Sequence, residues 1–487
     1  MAVDRSRLPD VGPDPVFHFP SLVRHRFANG LEVRTVEHHS VPIVTFVLQV
    51  DDGSGADPGH QEGLAAITAD MLDEGTGALS AIEVSEALAR IGAELDIDVA
   101  PDVTVFTLTT LTRFADRGAA LLSDILAKPS LREEDFARVR QLRLDRLRQL
   151  RDVPPAVAER AFLRLLYGDH PYGHLPIGSD ASLRALRPDD IRAFHAAAYR
   201  PTHATLVVVG DMRHDDLRAA AERAFGGWCE TRTPGATGAL GETSATGDAG
   251  ASGVLGAAGA GSAAGARDAA MTPVAARANG TRLAVVPREH AAQSELRIGH
   301  LTTGRNTPDY PALLMLNAVL GGPFVSRVNL KLREEKGYTY GARTGFDWRR
   351  GVSPFSLQAS VHTAVTADAI ADSFTELEGI RGGRPVEERE MALARSALTR
   401  GYPRSFETAQ QVARSVAQLV LYGLPDSYFE EFVPKVKAVT AGEVTRVART
   451  HLHPSRMVTL IVGDHHAIGG SLQALQLGEP VMLSDDP

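Results

Sequence analysis

The chain has 487 residues, 44% hydrophobic and 23% charged, which makes it a globular protein with length for two to four domains of roughly 100–200 residues rather than a disordered chain. Its 51 Lys and Arg against 60 Asp and Glu leave a net charge of −9 with no dense basic cluster, which argues against nucleic acid and anionic membrane as partners. The one cysteine, Cys229, excludes an internal disulfide framework and a cysteine-based zinc ribbon, and beside Trp228 it is expected to pack as a small hydrophobe. The first residues carry no apolar run behind their positive charges, and no stretch approaches the roughly 18 apolar residues of a membrane span. The expectation is a cytoplasmic chain with no signal peptide and no membrane span, periplasmic if the start codon is mis-assigned.

In chain order, residues 31–36 and 43–50 read as short Val-rich strands, with Asn29-Gly30 as a hairpin signal before the first. Residues 63–72 and 82–91 have helical spacing, and 96–111 alternates like a hairpin of half-buried strands. Glu133–Arg151 reads as a long charged helix whose apolar stripe is Phe136, Val139, Leu142, Leu144, Leu147 and Leu150. It stops before Pro154-Pro155, because the residue before a proline is pushed out of the helical region. Residues 231–279 turn to Gly, Ala, Ser and Thr with almost no large apolar side chains; such a segment cannot repay its ordering entropy by burial and reads as a flexible linker.

The halves on either side of that linker resemble each other. Ile191 on a Pro-Asp-Asp start, then Tyr199-Arg200-Pro201 and Leu206-Val-Val-Val-Gly-Asp211, recurs as Val444 on a Thr-Ala-Gly-Glu start, Leu452-His453-Pro454 and Leu460-Ile-Val-Gly-Asp464. One constant offset carries Pro201 onto Pro454 and Gly210 onto Gly463, and Tyr167-Gly168 has its counterpart in Tyr422-Gly423. These are read as two copies of one fold. Each copy is expected to be an α+β layered domain, an antiparallel sheet covered by helices on one face. The resulting division is 1–20 as an N-terminal extension, 21–230 as the first domain, 231–279 as the linker, 280–475 as the second domain and 476–487 as a C-terminal tail.

The most informative stretch runs from Gly63-Leu64-Ala65 through Met71-Leu72 to Gly75-Thr76. It resembles the zinc-motif helix of the pitrilysin/insulinase-type metallopeptidases, in which H-x-x-E-H sits between a Gly-Leu-Ala entry and a Met-Leu…Gly-Thr exit. That chemistry needs two imidazoles one helical turn apart and a glutamate between them to activate a metal-bound water. Here the three positions hold Ala66, Ala69 and Asp70. The resemblance places a third ligand, a glutamate, eight residues before the proline that closes the next helix; counting back from Pro154 gives Arg146. A methyl group cannot ligate zinc and a cation repels it, so no metal is expected in this chain.

The likeness extends over nearly the whole chain outside the linker. His170-Pro171-Tyr172-Gly173 looks like a fold marker of that family. In the second half, Leu316-Asn-Ala-Val-Leu-Gly-Gly322 leads to Ser326-Arg327 and then to Leu332-Arg-Glu-Glu-Lys-Gly-Tyr-Thr-Tyr340. This is similar to the family's Leu-Arg-Glu-x-x-Gly-x-x-Tyr signature. The resemblance implies that Arg333 and Tyr340 hold a substrate carbonyl and steady a tetrahedral oxyanion, work suited to a guanidinium fork and a phenol hydroxyl. The bland alternative is a surface arginine and a core tyrosine.

The other candidates are weaker. His38-His39, His451-x-His453 and His465-His466 lack metal-ligand spacing, the glycines near 299–322 form neither a P-loop nor a dinucleotide fingerprint, and no G-x-S-x-G elbow appears. The chain is therefore expected to be the non-catalytic subunit of a two-chain zinc metallopeptidase. Its expected partners are a homologous zinc-bearing subunit and a peptide substrate, with Arg333 and Tyr340 supplied in trans and zinc held by the partner. The rival is a structural or peptide-binding relative with no proteolytic role.

Overall fold

The computed structural model describes residues 17–229 and 282–484, so the linker expected at 231–279 lies outside the described residues. The strands are β1 (Leu22–Arg26), β2 (Glu32–Glu37), β3 (Ile43–Val50), β4 (Gly75–Thr76), β5 (Leu79–Ser80), β6 (Glu94–Val99), β7 (Thr104–Leu111) and β8 (Ala204–Gly210), then β9 (Leu283–Pro287), β10 (Gln293–Leu301), β11 (Ala342–Phe346), β12 (Pro354–His362), β13 (Val458–Gly463) and β14 (Val481–Met482). Two six-stranded sheets result, ordered β1-β2-β8-β3-β7-β6 and β14-β9-β13-β10-β12-β11. Five strands of each correspond, β2-β8-β3-β7-β6 with β9-β13-β10-β12-β11, while the outer strands differ, β1 pairing antiparallel and β14 parallel; Gly210 and Gly463 close the equivalent strands β8 and β13. The repeat read from sequence is thus a repeat of topology.

Several expectations need correcting. The Asn29-Gly30 signal joins β2 to β1, a strand the sequence reading missed because Leu22–Arg26 alternates between charged and half-buried residues with little apolar weight. The sheets are not wholly antiparallel: β2 lies parallel to β8, and β13 parallel to β9. The stretch 476–487, expected as a tail, contributes β14, which pairs parallel with β9. Cys229 is exposed rather than packed.

The largest correction concerns the faces. Each sheet packs its own half's helices on one side, but a helix from the other half covers the opposite side. Pro154–Tyr167, in the first half, lays Val157, Ala161, Phe162 and Leu166 on Val458, Leu460 and Val462 of β13 and Ala284 and Val286 of β9. Reciprocally, Ala409–Tyr422 lays Val412, Val416 and Leu419 on Val36, Val47, Val207 and Val209 of the first sheet. This explains why β8 is buried along its whole length: Leu206 and Val208 face the first core while Val207 and Val209 face the borrowed helix. At roughly 1.5–3 kcal/mol for each fully buried aliphatic side chain, either exchanged helix ties the halves together by several kcal/mol.

Polar contacts close the same junction. The β11–β12 loop brings Arg350 to the β6–β7 loop, where its backbone N–H donates to Asp102 Oδ2 at 2.8 Å and its guanidinium reaches Asp51 Oδ1 at 2.8 Å. The Tyr172 hydroxyl donates to the other Asp102 oxygen. Tyr167 and Tyr422, which end the two exchanged helices, both donate into the same loop, to Val352 O at 2.6 Å and Trp348 O at 3.1 Å. Among the described residues, no helix is long and apolar enough to cross a membrane.

Candidate functional site

The helix Leu64–Asp70 starts at Gly63, whose φ of +94° suits glycine and whose Cβ would meet Gly178 Cα at 2.9 Å. Its first amides are capped by the buried Asp57 carboxylate, which accepts from Gly63 N and Ala65 N at 2.7 Å each and pairs with His174 Nε2 at 3.0 Å. Burial pushes the Asp57 carboxyl upward against the pull of His174 and those amides. The helix is therefore well anchored, and three of its positions are those the zinc motif would use. Ala66 and Ala69 are buried methyl groups, while Asp70 is bonded by Arg143 Nε at 2.7 Å. Burial raises the Asp70 carboxyl, opposed by Arg143.

The cation facing this helix is Arg143. Arg146, the position reached by counting from Pro154, is exposed and bonds Gln149 Oε1 at 3.3 Å. Leu142, placed on the apolar stripe of Glu133–Arg151, is 58% exposed; Phe136, Val139, Leu144 and Leu147 form the buried face. Zinc takes nitrogen, sulfur or oxygen ligands, usually four. Two methyl groups and one carboxylate engaged by a guanidinium do not fit it. Among the described residues, no group of three His, Cys, Asp or Glu side chains is placed to hold a metal ion.

The second candidate is built differently. After Ser326, the segment Arg327–Asn329 runs into a widened turn, Leu330–Glu335, in which Lys336 N reaches back to Lys331 O and Tyr338 N to Leu332 O. Val328 and Leu332 are fully buried and fix this turn. Arg327 is a buried strut, paired through two nitrogens with Glu390 at 2.6 and 2.7 Å and bonded to the carbonyls of Arg384 and Pro385. Arg333 instead remains part-exposed, with Glu334 at 3.1 Å and the Phe324 ring 4.8 Å from its guanidinium. Tyr340 follows on the turn before β11 and is 87% exposed. It is not a core tyrosine. Phe324 and Leu330 are also exposed.

Among the described residues no hydrogen bond or ion pair joins Asp70 to Arg333 or Tyr340; Asp70 bonds Arg143, and Arg333 pairs with Glu334. Beside the Arg333 segment opens a cleft of about 460 Å³ lined in part by Pro155, Phe324, Asn329, Arg343 and Ser360. Sequence reading missed Arg143, Phe324 and Arg343. A Phe-Val pair exposed in the Gly-Gly-Pro loop at 321–325 was the available signal for Phe324. The histidine pairs have ordinary side-chain partners: His39 bonds Asp211 and Glu37 at the surface, and His451, part-buried at the end of the helix Ala441–His451, bonds Asp309.

Two family models match. Residues 32–177 match insulinase (peptidase family M16), and 185–398 match the peptidase M16 inactive domain. An uncharacterized zinc protease of Mycobacterium tuberculosis is 25% identical over 446 residues, 91% of this chain and 93% of the relative. One of Streptomyces coelicolor is 22% identical over 431 residues, 88% and 86% respectively. A peptidase M16 inactive domain from Pseudomonas fluorescens aligns with a TM-score of 0.77 at 23% identity, covering 91% of this chain and 98% of that one. A protease from Helicobacter pylori aligns at 0.76 and 18%, covering 92% and 100%. At these identities the solved structures establish the fold alone.

Proposed function

Because the chain belongs to peptidase family M16, the insulinase family, we propose that it is a non-catalytic subunit that acts with a homologous zinc-bearing chain in peptide hydrolysis. The observation that carries this reading is the 87% exposure of Tyr340, seven residues after Arg333, in a chain whose zinc-motif positions hold two alanines and an engaged aspartate. A large aromatic residue held out in solvent on a turn contributes little to stability. Its hydroxyl is, however, free to donate to a carbonyl oxygen brought from outside. The Arg333 guanidinium, steadied over Phe324, offers further donors to the same oxygen. Such donors assist the reaction to the extent that they bind the developing oxyanion more tightly than the ground-state carbonyl.

The metal and the glutamate that activates water are supplied by the partner. Alone, the chain is expected to retain no stoichiometric zinc after dialysis and to cleave no peptide. The test is reconstitution with an H-x-x-E-H-bearing homologue from the same organism. Hydrolysis should appear in the mixture and be absent from each chain alone. A partner equally active without this chain would favour the structural reading.

A further inference from the structure

The helix Pro154–Tyr167 covers β9, β13 and part of β10, but it leaves the face of β12 and β11 open. The resulting cleft, about 460 Å³, is in the size range of small-ligand sites. A smaller hollow of about 160 Å³ continues along β11 and shares Arg343 and Gln358 with it. Arg343 therefore stands where the two meet.

The polar groups around the cleft are nearly all committed. Buried Glu295 takes Arg297 and the Ser360 hydroxyl, and Arg297 also reaches Pro155 O at 3.3 Å and Glu159 at 3.4 Å. The Asn329 amide donates to Pro323 O and Ser326 Oγ, and Gln358 donates to Ser356. Arg343 is the exception. Its Nε and Nη2 both go to Gln358 Oε1, at 3.1 and 2.9 Å, which leaves Nη1 with no protein acceptor and the side chain with no carboxylate partner among the described residues.

The first half shows what this position does when its charge is spent. Asp96 lies opposite Thr107 in β6–β7 as Arg343 lies opposite Gln358 in β11–β12. Asp96 is tied to Arg414 on the exchanged helix at 3.1 Å. Counting from the closing tyrosines, the counterpart of Arg414 is Glu159. In the second half that carboxylate turns to Arg297 instead.

From this we infer that the cleft is a subsite for a carboxylate-bearing residue of an extended peptide, with Arg343 as its anchor; the inference rests on the peptide-handling reading above. The peptide lies across the face of the sheet and does not add to it as a strand. The outward amides of β11 are already taken, Ala342 N by Asn329 Oδ1 and Thr344 N by Gly321 O, both at 3.0 Å. Gly321 permits that approach, since a Cβ there would sit 2.5 Å from Thr344 Oγ1. Phe324 links the subsite to the proposed chemistry, because it both lines the cleft and lies against Arg333. A carbonyl held by Arg333 and Tyr340 would thus set a neighbouring residue over the cleft.

The test is fluorescence anisotropy on the full chain alone, with short labelled alanine-based peptides carrying one central Asp or Asn, each as free acid and as C-terminal amide. The Asp amide should bind on the order of tenfold more tightly than the Asn amide, as expected for a hydrogen bond to a charged group. A larger gain for the Asn free acid over its amide would assign the carboxylate to the peptide terminus instead of a side chain. Arg343→Gln should abolish either preference, and Arg343→Glu should transfer it to a Lys peptide. Equal affinities, a preference that survives Arg343→Gln, or no binding of any peptide would overturn the subsite. Hydrolysis of a neutral peptide by the reconstituted complex makes no use of Arg343, so it reports on the in-trans reading separately.

Discussion

The helix Leu64–Asp70 and the segment Leu330–Gly341 sit in equivalent halves of one chain, yet they have opposite physical characters. At the first, every position that could face a metal has been closed: Ala66 and Ala69 are packed and Asp70 is bonded by Arg143. At the second, Tyr340 is exposed and Arg333 part-exposed, with the exposed Phe324 ring against Arg333, while Val328 and Leu332 do the packing. The first is ordinary core at its two alanines, with Asp70 held at the rim by Arg143. The second separates anchoring residues from exposed ones, and that separation is what a surface kept for contact with another molecule requires.

This contrast can be broken most directly by restoring charge to the closed site. Ala69→Glu places a carboxylate at a position with no solvent exposure and should cost at least about 3 kcal/mol in denaturant unfolding. Arg333→Ala, on the open segment, should stay within about 0.5 kcal/mol. Similar costs for the two would erase the distinction. Next in size is the junction that lets the halves differ while remaining one body. Asp102→Ala removes the acceptor of both the Tyr172 hydroxyl and the Arg350 amide, and should cost about 2–3 kcal/mol by the same measurement.

The smallest effect concerns the acidic edge of the closed site. Burial, then Glu74 and Asp70, push Asp73 up to about 6 from an ordinary 3.8. A carboxyl raised in the folded state contributes stability that is fully present below the unfolded value, near 3.8, and is lost as pH rises through about 6. Asp73→Asn should therefore stabilise the chain slightly at pH 7 and not at pH 3.5. The Asp73 carboxylate is crowded by neighbouring side chains yet its residue keeps more than a third of its surface in water, so solvent screening should hold the gain below about 1 kcal/mol. Thermal melts of the two proteins at both pH values check this.

Much of the fold was legible where periodicity had one meaning. Glu133–Arg151 matches its expected bounds because its apolar spacing and the following prolines agree. Those prolines also begin the next helix, Pro154–Tyr167, whose first turn needs no proline N–H. The exchange of that helix was not legible, since an amphipathic pattern shows that a face is buried but not by which sheet. The unbroken Leu206-Val-Val-Val209 run did carry the hint that both faces of β8 are covered. At the candidate site, the motif positions could be read because helical spacing fixes them relative to one another. Arg143 and Arg146 lie three residues apart on one helix, and only its packing against Leu64–Asp70 decides which of them meets Asp70. Arg343 carried no sequence signal, because its uncommitted state depends on where Gln358, Glu159 and Arg297 spend their own bonds.

The central claim, that the second half retains working chemistry while the first does not, is tested most directly by Tyr340→Phe in the complex reconstituted with a zinc-bearing partner. The ring is kept and the position is 87% exposed, so folding and assembly should survive. Loss of one oxyanion donor should lower kcat on the order of 10²-fold, about 3 kcal/mol of transition-state stabilisation, with KM little changed and the zinc content of the complex unaltered. Wild-type kcat in a fully assembled Tyr340→Phe complex would contradict the account.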